Sequence, residues 1–309
     1  MKVTRAASFL LLVLGVGVAC RPTSGPAPAS GGAAGAGPVA EGKALLDQGQ
    51  LDAALAQLQQ APNDPDGLYY QALVHLKKAE VLPAAETGLK DEELQALGLL
   101  EQAVAAKKEH ALAQRTLADL LAPYSVAKFG PRAAKAAKAR KGAARPEVSP
   151  DSAGVAAPDL APERVIAAYK AAIAADKSDV GGVEALVAFA RAAGRLEDAE
   201  WGFRERVQRQ MESAEPHIAF GDFLVQDRKD PMRAIEQYNL ALVWQPDSID
   251  AKNRIADIYL GEAEEHFDKK EYASTEARLA EAQKFVTDPQ SYQAARIREI
   301  RGKLRGLRR

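Results

Sequence analysis

A triplet of side chains, small, then large four residues on, then small three further, recurs along this chain near a 34-residue spacing. Val165, Tyr169 and Ala172 return 34 residues later as Ala199, Phe203 and Arg206, and 35 after that as Ala234, Tyr238 and Ala241. Thr275, Leu279 and Ala282 follow at an offset of 41. Upstream, Ala54, Leu58 and Ala61 reappear 42 residues on as Ala96, Leu100 and Ala103. Steps of three and four put the three side chains on one face of a helix. A repeat of this length cannot bury its own apolar face, so copies must stack, and at least three are needed. From Glu41 onward Ala, Leu, Glu, Gln, Lys and Arg dominate, all good helix formers, and no alternating strand pattern appears. The expected fold class is all-α.

The fullest copy is Ala234-x3-Tyr238-x2-Ala241-x4-Pro246. Small residues let helices approach, the large one fills the space between units, and Pro246 stops the helix because it lacks an N–H and clashes with the preceding turn. This pattern resembles the second helix of the tetratricopeptide repeat. Other copies depart from it: Arg206 and Thr275 replace small residues, and Lys108 and Lys177 stand where the closing Pro belongs. Gly194 sits where the turn between paired helices needs a left-handed residue. The resemblance implies a right-handed α-solenoid of stacked helix-turn-helix units, with a concave groove of first helices that takes extended peptides or helices. The register from Pro246 places Asn253, Arg254 and Asp257 on that groove, and a similar register adds Glu184 and Asp222. Trp201, Phe203, Tyr238, Trp244 and Tyr259 fit packing positions between repeats.

The N-terminus adds a location. Lys2 and Arg5 precede the apolar run Ala6 to Ala19, and Cys20, the only cysteine, follows directly. The run is shorter than the roughly 20 residues of a membrane-spanning helix, and a basic start with small residues at its end describes an export signal. It resembles a bacterial lipoprotein signal. The resemblance implies that residues 1–19 are removed and that Cys20, whose thiolate is the natural nucleophile, carries diacylglycerol. Two acyl chains give stable anchoring where one does not. Arg21 resembles the sorting pattern for the outer membrane, so the expected location is the bacterial envelope, on the periplasmic face of that membrane. Gly17 stands where the family favours Leu, and Gly17 with Ala19 also satisfies the small-x-small rule of ordinary secretion. Residues 20–40 are mostly Gly, Pro, Ser and Ala beyond the cysteine, with nothing large to bury, and read as a flexible tether with a reach of about 25 Å.

The repeats then occupy 41–126 and 162–289, with a Pro-, Ala- and Lys-rich stretch at 127–161 between them. His110 to Pro123 reads as a first helix and Glu163 to Asp176 as its second, so the stretch is a long loop inserted in the third repeat of one continuous solenoid. Two lobes joined by a linker are the alternative. The insertion carries Lys128, Arg132, Lys135, Lys138, Arg140, Lys141 and Arg145 with no acid among them. It reads either as a solvated linker extended by like charges or as a patch for anionic lipid or cell-wall polymer. In the C-terminal segment, 290–309, Ile297, Ile300, Leu304 and Leu307 form a helical stripe among arginines. That is a capping helix for the last repeat or a membrane-surface helix.

Little here points to chemistry. A lone cysteine excludes a disulfide framework and Cys-ligated metal. His75, His110, His217 and His266 show no ligand spacing. Gly37 to Ala44 superficially matches a phosphate loop but lacks its Ser or Thr and the preceding strand. Residues 63–67 mimic a calcium loop and are better read as an interhelical turn. With 41 basic and 42 acidic side chains, global charge implies no nucleic-acid partner. The expectation is a non-enzymatic, membrane-anchored scaffold without cofactors, binding envelope proteins through its groove; the alternative is direct binding of anionic polymer or lipid through the basic segments.

Overall fold

The computed structural model describes residues 37–83, 88–133, 135 and 158–307. Cys20, most of the expected tether, and Lys138, Arg140, Lys141 and Arg145 lie outside the described residues. Among the described residues there are thirteen helices and no strand. They are α1 (Pro38–Asp47), α2 (Leu51–Leu58), α3 (Pro65–Glu80), α4 (Asp91–Ala106), α5 (Ala111–Phe129), α6 (Pro162–Ala175), α7 (Val180–Ala192) and α8 (Leu196–Arg209), then α9 (Ala214–Phe223), α10 (Pro231–Trp244), α11 (Ile249–Asp268), α12 (Tyr272–Phe285) and α13 (Tyr292–Leu307). A π turn, Leu224–Arg228, extends α9. The helices pack as six successive hairpins, α1–α2 through α11–α12, each against its neighbours, and α13 closes the last one.

The recurring triplets explain the pairing. All but Ala61, which follows the end of α2, fall on second helices, and Ala54, Leu58, Ala96, Leu100, Ala103, Val165, Tyr169, Ala172, Ala199, Phe203, Ala234, Tyr238, Ala241, Thr275, Leu279 and Ala282 are buried. Arg206 and Ala61, at the two remaining positions, are partly exposed. Within a hairpin the chain reverses through a left-handed residue. Gly49 (φ 76°) and Gly194 (φ 73°) do this in the first and fourth pairs, Lys229 (φ 56°) and Lys270 (φ 62°) in the fifth and sixth. The turn closes with an N–H bonded to the carbonyl five residues back: Gln50 to Leu45, Arg195 to Ala190, Glu271 to His266. Such bonds satisfy carbonyls orphaned at a helix end. In the fifth pair the Asp230 N–H reaches back six residues, to Leu224, because the π turn holds one extra residue. Between hairpins, Asp64, His110, Asp179 and Ser248 cap the next first helix by accepting from the N–H three residues on. Of residues 63–67, then, Asn63 and the cap Asp64 belong to the interhelical turn, while Pro65 to Gly67 form the first turn of α3.

One core spans the inserted stretch: Leu117, Ala118 and Leu121 of α5 lie in the same cluster as Val165, Ile166 and Tyr169 of α6 and Val183 of α7. The third hairpin forms across the insertion, and Gly37–Arg309 is one unit.

Several expectations need correction. Helix α1 begins at Pro38, inside the stretch read as tether, because Pro at the first helical position costs nothing and its φ is already helical. Helix α5 runs through Pro123 to Phe129, past the expected boundary at 126; Pro123 is on the exposed side, where its missing N–H and ring do not disturb the core. Trp244 is not a packing residue: it ends α10 and is 48% exposed. Ile297, Ile300 and Leu304 are buried against α11 and α12, so the stripe of α13 is covered and not free for a membrane surface; only Leu307 lies outside, 58% exposed. No helix among the described residues is long and apolar enough to cross a membrane.

Candidate functional site

First helices α7, α9 and α11 carry a run of three adjoining depressions. The first, of about 410 Å³, lies between Glu184, Ala188 and Arg191 of α7, Arg206 of α8, and Ala219 and Asp222 of α9. The second, also about 410 Å³, is bounded by Asp222, Val225, Arg254, Asp257, Gly261 and Glu262. The third, about 560 Å³, lies between Glu215, Ala219, Asp222, Asp247, Asp250 and Arg254. Asp222 lines all three, so they form one groove. Its floor is aliphatic or small, with Val187, Ala188, Ala219, Val225, Ile258 and Gly261.

Four of the five groove residues expected from the sequence line it: Glu184, Asp222, Arg254 and Asp257. Asn253 lines none of the three depressions and is half-buried. On α11, positions 250, 254, 257, 258 and 261 share one stripe, and position 253 is rotated about 40° past its edge. Sequence reasoning missed Glu215, Gln226 and Asp250: Asp250 lies one turn before Arg254 on α11, Glu215 two turns before Asp222 on α9, and Gln226 one turn after Asp222, within the π turn itself.

The named residues are engaged with one another. Asp222 Oδ1 accepts from the Tyr238 hydroxyl at 2.8 Å and from Arg254 Nε at 2.5 Å, while Oδ2 accepts from Arg254 Nη2 at 2.9 Å. Burial, reinforced by Asp222, pushes the Tyr238 hydroxyl well above the ordinary phenol range. The hydrogen bond to Asp222 raises Arg254 above its usual value. This bidentate pair ties α9 to α11. Arg206 lies 3.1 Å from Glu184 and 2.7 Å from Glu215. Asp257 accepts from the Gln293 amide of α13 at 2.9 Å. Arg191 pairs at 2.7 Å with Asp227 of the π turn. The third hairpin repeats the device: Tyr169 donates to Asp119 at 2.7 Å, and Arg115 bonds Asp119 and, through both carboxylate oxygens, Asp179.

A second cluster, also missed from sequence, sits at the junction of α8 and α10. The buried Glu200 carboxylate lies 2.6 Å from both Arg204 and Arg233 and 3.2 Å from Arg228 of the π turn. A buried carboxylate with three guanidiniums is a clasp between the fourth and fifth hairpins, since losing its partners would leave an uncompensated charge.

Of the basic insertion, Lys128, Arg132 and Lys135 are described, and all are exposed beyond or at the end of α5. On α13, Arg296 pairs with Glu264 and Glu299, and Lys303 with Glu299. Among the described residues no group of three or more His, Cys, Asp or Glu is placed to hold a metal ion. His75 and His266 each bond a glutamate, His217 bonds Gln237, and His110 caps α5. Gly42 and Lys43 belong to α1, where Gly42 gives Leu58 room to pack rather than cradling a phosphate.

No protein-family profile matches the chain, and no curated protein does. Among solved structures it is similar to YrrB, titled a TPR protein with an unusual peptide-binding site: 15% identity over 69% of this chain and 88% of that one, TM-score 0.40. It is similar to a thermophilic TPR protein of Thermus thermophilus, at 18% identity over 72% of this chain and 97% of that one, TM-score 0.35. It is also similar to MamA from Desulfovibrio magneticus RS-1, at 14% identity over 67% and 93% of the two chains, TM-score 0.39. The chain is similar to tetratricopeptide proteins, and its description as an all-α array of helix pairs rests on the pairing and burial of its own helices.

Proposed function

We propose that this chain is a non-enzymatic scaffold, held to a bacterial envelope membrane by lipid on Cys20, whose first-helix groove grips a segment of another envelope protein during assembly of a complex. The observation that carries the reading is the open groove of three depressions centred on Asp222. It is long rather than enclosed, and its floor of small residues leaves room for side chains from outside. Its charged groups bond one another across neighbouring helices, which suits a rigid docking surface better than acid–base work. The export run ending at Cys20 supports the anchor.

The test uses the full-length chain in its native envelope. A photocrosslinking residue at Gln226, on the groove, is expected to capture a discrete protein partner identified by mass spectrometry. Gly261→Trp is the matched control. A Cβ at Gly261 meets nothing within 4 Å, so bulk there fills the groove without disturbing the helix. Capture unchanged by Gly261→Trp would refute the groove reading. Mass analysis of the mature N-terminus tests the anchor separately, and an N-terminus lacking acyl mass would remove it. The second reading, binding of anionic polymer or lipid, is supported by the exposure of Lys128, Arg132 and Lys135. Charge reversal there is its test: sedimentation with cell wall or anionic vesicles should be lost while groove capture persists.

A further inference from the structure

The cations of the groove are shared, and that leaves it negative. Glu184 and Glu215 share Arg206. Asp222 and Asp250 share Arg254, with Asp222 holding both strong bonds and Asp250 at 4.0 Å. Among the described residues, Asp257 is bonded by the neutral amide of Gln293 and by no cation. The remaining carboxylates each have a cation of their own: Asp227 has Arg191, Glu262 has Arg278, and Asp247 has Lys252 at 3.9 Å. Among the described residues, one carboxylate in each of the two shared sets, and Asp257, are therefore left without a cation, an excess of three negative charges along one groove. The whole chain has a formal net charge of only −1, so the excess is local.

The three uncompensated charges are spread along the groove. Glu184, at 3.1 Å the weaker partner of Arg206, stands in the second turn of α7, Asp250 in the first turn of α11, and Asp257 two turns further along α11. Between them run the apolar and small residues Ile218, Ala219, Val225, Ile258 and Gly261. Low-dielectric walls lined by one sign of charge focus the field into the cleft and draw in the opposite sign. The same walls reject acidic segments, because like charges brought together there find no counter-ion.

We infer that the partner segment taken by this groove is cationic: an extended or helical stretch in which Lys or Arg alternates with small or aliphatic residues. This rests on the groove being the docking surface. The apolar side chains occupy the depressions, and the ammonium or guanidinium groups reach Glu184, Asp250 and Asp257 at the rim. An acidic segment, or one recognised through its terminal carboxylate, finds no free cation among the described groove residues, since Arg191, Arg206 and Arg254 are already held.

The test is an array of random dodecamer peptides probed with three forms of the full chain: unaltered, the triple variant Glu184→Gln, Asp250→Asn, Asp257→Asn, and Gly261→Trp. The unaltered chain is expected to select peptides enriched in Lys and Arg and depleted of Asp and Glu. Three rim contacts of exposed ion-pair strength predict about a tenfold loss of affinity in the triple variant at low salt, with the difference shrinking as salt rises. Selected peptides that are neutral or acidic, or affinities that the triple variant leaves unchanged, would overturn the charge assignment. If such peptides still depend on Gly261, the groove survives as a docking surface and only the partner's charge is wrong. Binding indifferent to Gly261→Trp overturns both.

Discussion

Asp222 accepts three hydrogen bonds, from Tyr238 of its own hairpin and from two nitrogens of Arg254 on the next. Its position is fixed from behind: a Cβ on the preceding Gly221 would stand 2.4 Å from the Tyr238 ring, so only glycine lets the tyrosine lie where its hydroxyl meets the carboxylate. Removing that hydroxyl by Tyr238→Phe is expected to cost about 1 kcal/mol in urea denaturation, the size of one net hydrogen bond, because Arg254 still satisfies Asp222. The tyrosines also set the alkaline limit. Burial, with the Glu93 carboxylate adding to it, pushes Tyr124 up to about 12. Burial and the aspartates Asp119 and Asp222 push Tyr169 and Tyr238 higher. A folded-state value above the unfolded one favours the folded chain fully below pH about 10, and that advantage is lost as pH rises through the folded value. Stability should therefore hold flat from neutrality to about pH 10 and fall above it. The fall should be shallower in Tyr238→Phe, as read from urea midpoints across the alkaline range. A midpoint that rises above that pH would contradict the sign.

At the scale of elements, the second helices were legible because a small-large-small face at steps of four and three has one use, packing between helices, and nearly every such position is buried. The groove was legible through the same register on first helices, down to Asp222, Arg254 and Asp257. What escaped were features needing an exact residue count or a third dimension. The π turn left one trace, the 35-residue offset from Ala199 to Ala234 where Val165 to Ala199 is 34. Glu200 gave no warning, since its partners Arg228 and Arg233 come from other elements. Pro38 and Pro123 misled because proline marks a boundary in sequence, whereas one starts a helix and the other lies on the outer side of one. The hairpin turns carry an uneven choice of residue. Lys270 adopts the left-handed conformation that glycine supplies at Gly194. A non-glycine residue there is strained, so Lys270→Gly is expected to stabilise the chain by roughly 0.5 kcal/mol after glycine's greater unfolded entropy is set against the relief. A lower urea midpoint in that variant would count against it.

Across the whole array each hairpin touches only its neighbours, so stability is close to a sum of unit and junction contributions. The last junction depends on α13, which places Ile297, Ile300 and Leu304 against Leu260 and Leu279. Deleting residues 290–309 removes three buried side chains worth about 2 kcal/mol each. Amide hydrogen exchange should then quicken in α11 and α12 while α3 to α8 keep their protection. Uniform loss of protection along the chain would show that the units are not independent. The third hairpin makes a different use of the same independence. Its two helices meet in a shared core although the chain leaves at Phe129 and returns only at Pro162. Each doubling of a connecting loop adds only about 0.6 kcal/mol of closure entropy, so this hairpin is indifferent to what is threaded through it. It is a ready port for grafting: a fluorescent domain or an affinity handle spliced in there would ride on the scaffold while the hairpins on either side kept their stacking.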